Sequence, residues 1–341
     1  PLAERVRRQV RERSNVKMPL TIDDLPSLKQ LPLALRQELS CSIFGKTLLS
    51  HTVFYLWCLC DDSALEDLSF RALELEVFTR NDDVFVARQE AKKTFYVRSG
   101  RLQYTKEVET EVKAGSDNRE VHESRSLADK PTKISVNAKD WASMIAIWCT
   151  WHYVGRLHAL DTADLVSIDV ERFLEVLASH PQIFVLSRSY AFAYSLLSLS
   201  PEAEYSDSVD LDLATSQVFW AMPIGDRLEF ELPLLESFCD KLSRGSVEQY
   251  LPLGWNRLNT SSREQLEEEL RAGKCVITLS DDFQLKRTVV LSALEITNID
   301  DQLLVRIASG KGTDLVPDVV LPATKLREQE STAAAAKRLI G

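Results

Sequence analysis

Between Leu73 and Tyr104 the chain alternates apolar and polar positions with a period of two, in short runs separated by turn residues. Leu73, Leu75 and Val77 alternate with Glu74, Glu76 and Phe78; the pattern recurs at Val84 and Val86 and again at Phe95 and Val97. Successive side chains of a strand point to opposite faces, so this spacing predicts consecutive strands that turn one face to a core. Ser99-Gly100 reverses the chain, after which Leu102 and Tyr104 alternate with Arg101 and Gln103.

Upstream the apolar spacing widens to about three and a half residues, the helical period. Leu33 to Leu39, Ile43 to Leu49 and Leu56 to Leu68 predict three helical stretches, with Pro19 to Pro32 as a loop before them. Residues 2–13, LAERVRRQVRER, carry five arginines around Val6 and Val10 and suit an exposed or partner-docked basic helix. Downstream, Lys106 to Lys133 is strongly polar, with Val108 and Val112 facing Val121 across Ala114 to Asn118, and reads as a solvent-exposed hairpin. Lys133 to Val136 and Asp164 to Asp169 supply further strands. Val170 to His180 predicts an amphipathic helix with Phe173, Val176 and Leu177 on one face, ended by Pro181. Gln182 to Leu199 predicts a longer one.

Between Ser189 and Asp226 there is no lysine or arginine, while Glu202, Glu204, Asp207, Asp210, Asp212 and Asp226 are acidic. Such a stretch buries little apolar surface and marks a linker. Beyond it, Ser261 and Glu264 form a capping-box pattern for a helix ending near Arg271. Strand-like runs follow at Cys275 to Leu279, Thr288 to Ile296, Leu303 to Ile307 and Val316 to Leu321, and a last helix begins near Glu330. The expected organisation is α+β: linker helices over 1–68, an antiparallel roll with C-terminal lid helices over 69–199, an acidic linker over 200–216, and a second, smaller α+β domain over 217–341.

A chain of 341 residues has room for about two domains. Its net charge of −10 argues against a nucleic-acid partner, which a basic excess would mark. The six cysteines are scattered among apolar neighbours, and Cys58-Leu59-Cys60 has the wrong spacing for a zinc knuckle or a redox pair. No metal site is expected. No run approaches the ~18 uninterrupted apolar residues of a spanning helix. The sequence starts at Pro1 with no initiator Met or signal peptide, the pattern expected of a piece of something larger.

The run Phe95-Tyr-Val-x-Ser-Gly-Arg-Leu-x-Tyr104 resembles the cyclic-nucleotide-binding domain, in particular the cytoplasmic version that follows the pore of voltage-gated and cyclic-nucleotide-gated channels. Leu31-Pro32 and Leu35-Arg36-Gln37-Glu38-Leu39, standing just before the roll, resemble the C-linker of those channels. The resemblance implies a jelly-roll-like β-roll with the helix Gln182 to Leu199 folded over it as a lid. It also implies a regulatory role in a potassium-type channel, cytoplasmic and tethered to the membrane, with a pore-forming region upstream of Pro1 and neighbouring subunits as partners. A soluble cytoplasmic receptor is the alternative.

In that family a Phe-Gly-Glu segment supplies amides for the phosphate and a glutamate for the ribose, and a Pro-Arg-x-Ala-Thr segment supplies an arginine that pairs with the phosphate. Aligned on Ala146-Ile147 and Ala159-Leu160, the first falls on Ala142, Ser143 and Met144, the arginine on Tyr153, and the Ala-Thr pair on Gly155-Arg156. The pocket candidates are therefore Ser143, Met144, Tyr153, Val154 and Arg156. With methionine for the glutamate and tyrosine for the arginine, the cassette is degenerate, and cAMP or cGMP is expected to bind weakly or not at all. Arg156, three residues from the family position, would either rescue the phosphate contact or be a surface arginine. Asp82 and Gln89 stand where the family favours glycine in the turns. Trp141, Trp148 and Trp151 could stack on a purine, but spacings of seven and three place them near one helical face and favour burial. In relatives with defective pockets the protein's own side chains can fill the cavity, for which Tyr190, Phe192 and Tyr194 on the lid are candidates.

A soluble cyclic-nucleotide receptor, such as a kinase regulatory subunit, would need a working cassette and usually a second copy of the domain; the sequence supplies neither. The five histidines are dispersed, and no P-loop or nucleophile elbow occurs, so neither an enzyme nor a cofactor is expected. One enzyme-like pattern remains: Leu321-Pro-Ala-Thr-Lys325, Glu330 and Ala335-Ala336-Lys337-Arg338 resemble the opening of a Nudix box, whose glutamates gather Mg²⁺. Its loop glycines are Ala323 and Thr324 here, and the first catalytic glutamate is Leu339.

Overall fold

A computed structural model describes residues 4, 26–106, 133–198, 207, 215–239, 260–279, 285–298, 302–311, 314–326 and 330–340. The predicted basic helix over 2–13 and the predicted hairpin over 106–133 lie outside these residues apart from Glu4, Lys106 and Lys133, as does the Ser261 side chain of the capping pattern. The chain divides into two compact units, Pro1–Ala214 and Thr215–Gly341.

The first unit opens with a single turn, α1 (Pro26–Lys29), and three helices: α2 (Leu33–Leu49), α3 (Thr52–Cys60) and α4 (Asp62–Arg71). The two short helices expected over 33–49 are one, because Ser40, Cys41 and Ser42 between them include no glycine or proline to stop the backbone. Conversely, the helix expected over 56–68 is broken at Asp61, which is extended (φ −157°, ψ 100°) and caps α4 by accepting from Ser63 N at 3.1 Å. α3 is apolar all round, TVFYLWCLC, and is correspondingly buried over its first six residues.

The roll follows as β1 (Leu73–Phe78), β2 (Asp83–Phe85), β3 (Lys93–Ser99), β4 (Leu102–Lys106), β5 (Lys133–Val136), β6 (Trp141–Ala142), a one-turn α5 (Ile145–Trp148), β7 (Gly155–Ala159) and β8 (Ala163–Asp169). Two antiparallel four-stranded sheets result, in the orders β1-β8-β3-β6 and β2-β7-β4-β5. Leu102 lies opposite Ala159 and Tyr104 opposite Leu157, so the period-two pattern puts Phe95, Val97, Leu102, Tyr104, Leu157 and Leu165 into one core. Gly100 turns at φ +91°, and a Cβ there would lie 2.6 Å from Ala163 Cα and Thr162 O. The conformation and the space both require glycine.

Asp169 caps α6 (Val170–Ser179) through Arg172 N at 3.0 Å, and Phe173, Val176 and Leu177 are buried as the pattern predicts. α7 (Pro181–Ser198) follows. The hinge between α6 and α7 is tied to the helical layer: His180 Nδ1 lies 2.8 Å from Asp61 Oδ2 and Nε2 3.3 Å from Asp67 Oδ2. Gln37 Nε2 of α2 donates to the other Asp67 oxygen at 3.3 Å. Burial pushes the Asp61 carboxyl up, but bonds from Ser63 and His180 outweigh this and hold it below the ordinary value.

The second unit comprises α8 (Thr215–Ala221), α9 (Ile224–Cys239), α10 (Thr260–Arg271), β9 (Val276–Leu279), β10 (Leu285–Thr288), β11 (Leu291–Ala293), β12 (Arg306–Lys311), β13 (Asp314–Val320), β14 (Ala323–Lys325) and α11 (Thr332–Ile340). Its strands pair as ribbons, β9 with β10, β11 with β14 and β12 with β13. The protein is thus α+β. In this unit's core Arg227 Nε lies 3.2 Å from Glu231 Oε2, both side chains almost wholly buried, and Ile277 N donates to Glu231 Oε1 at 2.9 Å.

Candidate functional site

The group that occupies the roll is a carboxylate of the chain itself. Asp207, from the acidic stretch 200–216, is 1% exposed. Its Oδ2 accepts from Val154 N at 2.8 Å, Gly155 N at 2.8 Å and the Tyr104 hydroxyl at 3.0 Å, and its Oδ1 accepts from Trp151 Nε1 at 2.6 Å. The Asp207 backbone is held as well: Ser143 N donates to its carbonyl at 2.9 Å, and its own N–H donates to Tyr104 Oη at 3.2 Å.

Local sequence explains the cradle. Gly155 begins β7, where a Cβ would stand 2.5 Å from Cζ and Oη of Tyr104, so only glycine lets the phenol ring lie against the strand and reach the carboxylate. Tyr104 faces inward because β4 alternates, and it is fully buried. Ser143 sits at φ 60°, the left-handed region, at the position aligned with the glycine of Phe-Gly-Glu. The left-handed residues of the β1–β2 and β2–β3 turns are Asn81 (φ 68°) and Arg88 (φ 69°), each one residue before Asp82 and Gln89. Asp82 closes its turn instead, accepting from Thr79 N at 2.8 Å and Thr79 Oγ1 at 2.7 Å.

All donors to the Asp207 carboxylate among the described residues are uncharged. Burial pushes this carboxyl up; the bonds from Trp151, Tyr104, Gly155 and Val154 pull it back without restoring the ordinary value.

Of the pocket candidates, Ser143 and Val154 contribute N–H groups to Asp207. Met144 is buried with its sulfur 3.3 Å from Thr94 Oγ1. Tyr153 stacks on Phe85, ring centroids 4.0 Å apart and 5° from parallel, and donates its hydroxyl to Lys93 O at 3.1 Å. Burial raises its hydroxyl far above the phenolic range. Arg156 is not brought to the site. It occupies the outward position between Gly155 and Leu157 on β7, and its Nε pairs with Asp83 at 2.6 Å.

The three tryptophans do not share a helical face, because the stretch around them is a two-residue strand, one helical turn and a loop. Trp141 packs on Phe54 and Tyr96, Trp148 on Phe173 and Tyr190, and half-buried Trp151 serves Asp207. On the lid, Tyr190 and Tyr194 are buried while Phe192 is 63% exposed. Asp207 was missed because one aspartate among several acidic neighbours carries no local sign that it enters a core.

Near the C-terminus, Glu330 accepts from Arg338 through both oxygens at 2.9 Å, and the same guanidinium donates to Thr324 Oγ1 and Lys325 O at 2.8 Å. Among the described residues no group of His, Cys, Asp or Glu could hold a metal ion, and the Nudix resemblance finds no support. No described helix is long and apolar enough to cross a membrane.

No family model matches the sequence, and no curated protein does. Among solved structures, one that matches is the C-linker/CNBHD of zELK channels, crystallized in the presence of cAMP. The match spans 60% of this chain and 88% of that one at 16% identity, with a TM-score of 0.35.

Proposed function

We propose that this chain is a non-enzymatic regulatory module resembling the cyclic-nucleotide-binding domain of a potassium-type cation channel, in which the chain's own Asp207 takes the place of the nucleotide phosphate. The observation that carries this reading is the Asp207 carboxylate inside the roll, held by the amides of Val154 and Gly155 at the aligned phosphate cassette. The family's phosphate-binding arginine is Tyr153 here and its ribose-binding glutamate is Met144. A nucleotide entering the roll would therefore have to displace Asp207 and then bury its phosphate without a cation, at a cost of several kcal/mol.

The module then works by mechanical coupling. Displacement of α7 acts at the His180 hinge, and the Asp61 and Asp67 contacts carry it into α4 and, through Gln37, into α2. The C-linker-like helices would pass that movement to a pore-forming region upstream of Pro1 and to neighbouring subunits on the cytoplasmic side of a membrane.

Calorimetric titration of the full chain with cAMP and cGMP tests the reading. No saturable heat is expected. Micromolar binding that is lost in Arg156→Ala would instead establish a rebuilt nucleotide pocket and the soluble-receptor alternative.

A further inference from the structure

His180 joins α6 to α7 and ties both to a third helix. Its backbone N–H donates to Leu177 O of α6 at 3.1 Å, and its carbonyl accepts from Phe184 N of α7 at 2.9 Å. Its side chain, 10% exposed, reaches α4, with Nδ1 2.8 Å from Asp61 Oδ2 and Nε2 3.3 Å from Asp67 Oδ2. The far oxygens of both carboxylates are engaged too. Asp61 Oδ1 accepts from Ser63 N at 3.1 Å and Ser63 Oγ at 2.6 Å, and Asp67 Oδ1 accepts from Gln37 Nε2 of α2 at 3.3 Å. One imidazole thus stands between two carboxylates, each fixed from its other side.

The arrangement has a proton count built into it. A neutral imidazole carries one N–H and one bare lone pair, whereas the imidazolium donates through both nitrogens. Ionised carboxylates only accept, so both contacts hold together only with the doubly protonated ring, and loss of one proton sets a lone pair against an anionic oxygen. The shorter contact, to Asp61, keeps its proton, since the hydrogen bonds around a neutral ring select its tautomer. Other charges on the surrounding helices leave this count unchanged. Asp62 and Glu66 are the remaining acids of α4, and its one base, Arg71, pairs with Glu175 of α6 at 3.3 Å. Arg36 of α2 lies over the Phe70 ring, 5.7 Å from its centroid. α3, TVFYLWCLC, packs on α7 with Tyr55, Cys58 and Cys60 as its titratable groups and no acid or base among them, and Arg188 of α7 is exposed.

We propose that the α6–α7 hinge is a proton-operated latch: doubly protonated, His180 clasps Asp61 and Asp67 together, and neutral, it keeps Asp61 and releases Asp67. This rests on the reading that the hinge carries lid movement into the linker helices, and it names what regulates that route. Protonation closes the path from α7 through Asp67 to Gln37 and α2. Deprotonation leaves Asp61, the cap of α4, as the polar tie of His180 to that helix. Acidification therefore stiffens the coupling and a rise in pH loosens it. Histidine suits the task because it is the side chain that ordinarily changes charge between about pH 5 and 8.

The test is a pH titration of the full chain, labelled with ¹⁵N in histidine and glutamine and followed by NMR from about pH 5 to 8. The His180 ring is expected to carry protons on both nitrogens at the acid end and on Nδ1 alone at the basic end, with the Gln37 side-chain amide resonance moving along the same curve. In His180→Gln, which has no titrating proton at this place, the Gln37 response should be lost. Asp67→Asn should at least roughly halve it, since an amide can accept from the charged ring or donate to the neutral one. A ring that titrates while Gln37 stays still overturns the latch alone; the coupling reading is decided separately, by amide exchange in α4 after His180→Ala. A ring that holds a single proton throughout, a neutral ring protonated on Nε2, or a Gln37 response that survives in folded His180→Gln also overturns the latch. Should His180→Gln not fold, an undiminished Gln37 response in Asp67→Asn does the same.

Discussion

Replacing Gly155 with alanine should cost about 2–5 kcal/mol of stability in the first unit, through one ring. The added Cβ would stand 2.5 Å from Cζ and Oη of Tyr104 and 2.6 Å from Cε2. Relief to an ordinary carbon contact moves the ring or the strand by roughly 1 Å. If the ring moves, its 3.0 Å bond to Asp207 passes out of hydrogen-bonding range; if the strand moves, the 2.8 Å bond from Gly155 N is lost instead. Overpacking a filled core costs about 1–3 kcal/mol, and a hydrogen bond to a charged group is worth about 1.5–3 kcal/mol. The lower backbone entropy of unfolded alanine returns about 0.4–1 kcal/mol. The assay is a urea titration of the full chain followed at the Trp151 indole, which reports the first unit without contribution from the second. Repeated in an Asp207→Ala background, Gly155→Ala should cost at least about 1 kcal/mol less, since residues sharing one network couple by that order. A cost under about 0.5 kcal/mol, or the same cost in both backgrounds, would refute the account of the cradle.

Gly100→Ala combines a left-handed backbone with 2.6 Å approaches to Ala163 Cα and Thr162 O, so it should destabilise the roll by about 2 kcal/mol or more, read from the same urea transition. His180→Ala removes the contacts to Asp61 and Asp67 and should cost about 1–3 kcal/mol, with faster amide exchange concentrated in α4 and at the α6–α7 hinge; protection unchanged there would remove His180 from the coupling route. In the second unit, Arg227→Met or Glu231→Leu alone should cost about 3–5 kcal/mol, because each strands a buried charge, while the double replacement should be close to neutral in urea. Burial pushes Glu231 up to about 7, well above its unfolded value. The folded unit therefore holds a proton that the unfolded chain gives up, so stability is fullest below the unfolded carboxylate range and declines as pH rises towards about 7. A stability that instead climbs over that interval, with the second-unit transition followed by urea at several pH values, would contradict the assignment.

Strands β3 and β4 were legible because their signal is local: the alternation at Phe95, Val97, Leu102 and Tyr104 and the turn at Ser99-Gly100 set which side chains face inward, whereas on β2 the buried residue is Phe85, between the expected Val84 and Val86. The α6 helix was legible for the same reason, through the spacing of Phe173, Val176 and Leu177. Helix boundaries were less so. The expected break between Leu39 and Ile43 does not occur, and the break at Asp61 depends on a capping conformation that spacing does not encode. The tryptophans illustrate the same limit: seven and three residues describe a helical face only if a helix exists, and Trp141 to Trp151 forms a strand, a turn and a loop.

By itself the sequence determined the α+β class and the inward faces of β3 and β4, because each is a matter of residue type at a locally defined position. Only the tertiary structure decided what fills the roll. Asp207 lies more than fifty residues from Trp151, Val154 and Gly155 and just over a hundred from Tyr104, and nothing along the chain distinguishes it from Asp210 or Asp212. Its role follows from where the fold returns the chain and leaves four neutral donors facing one carboxylate. The same fold turns Arg156 outward to Asp83, since on β7 a shift of one position from Gly155 is a change of face.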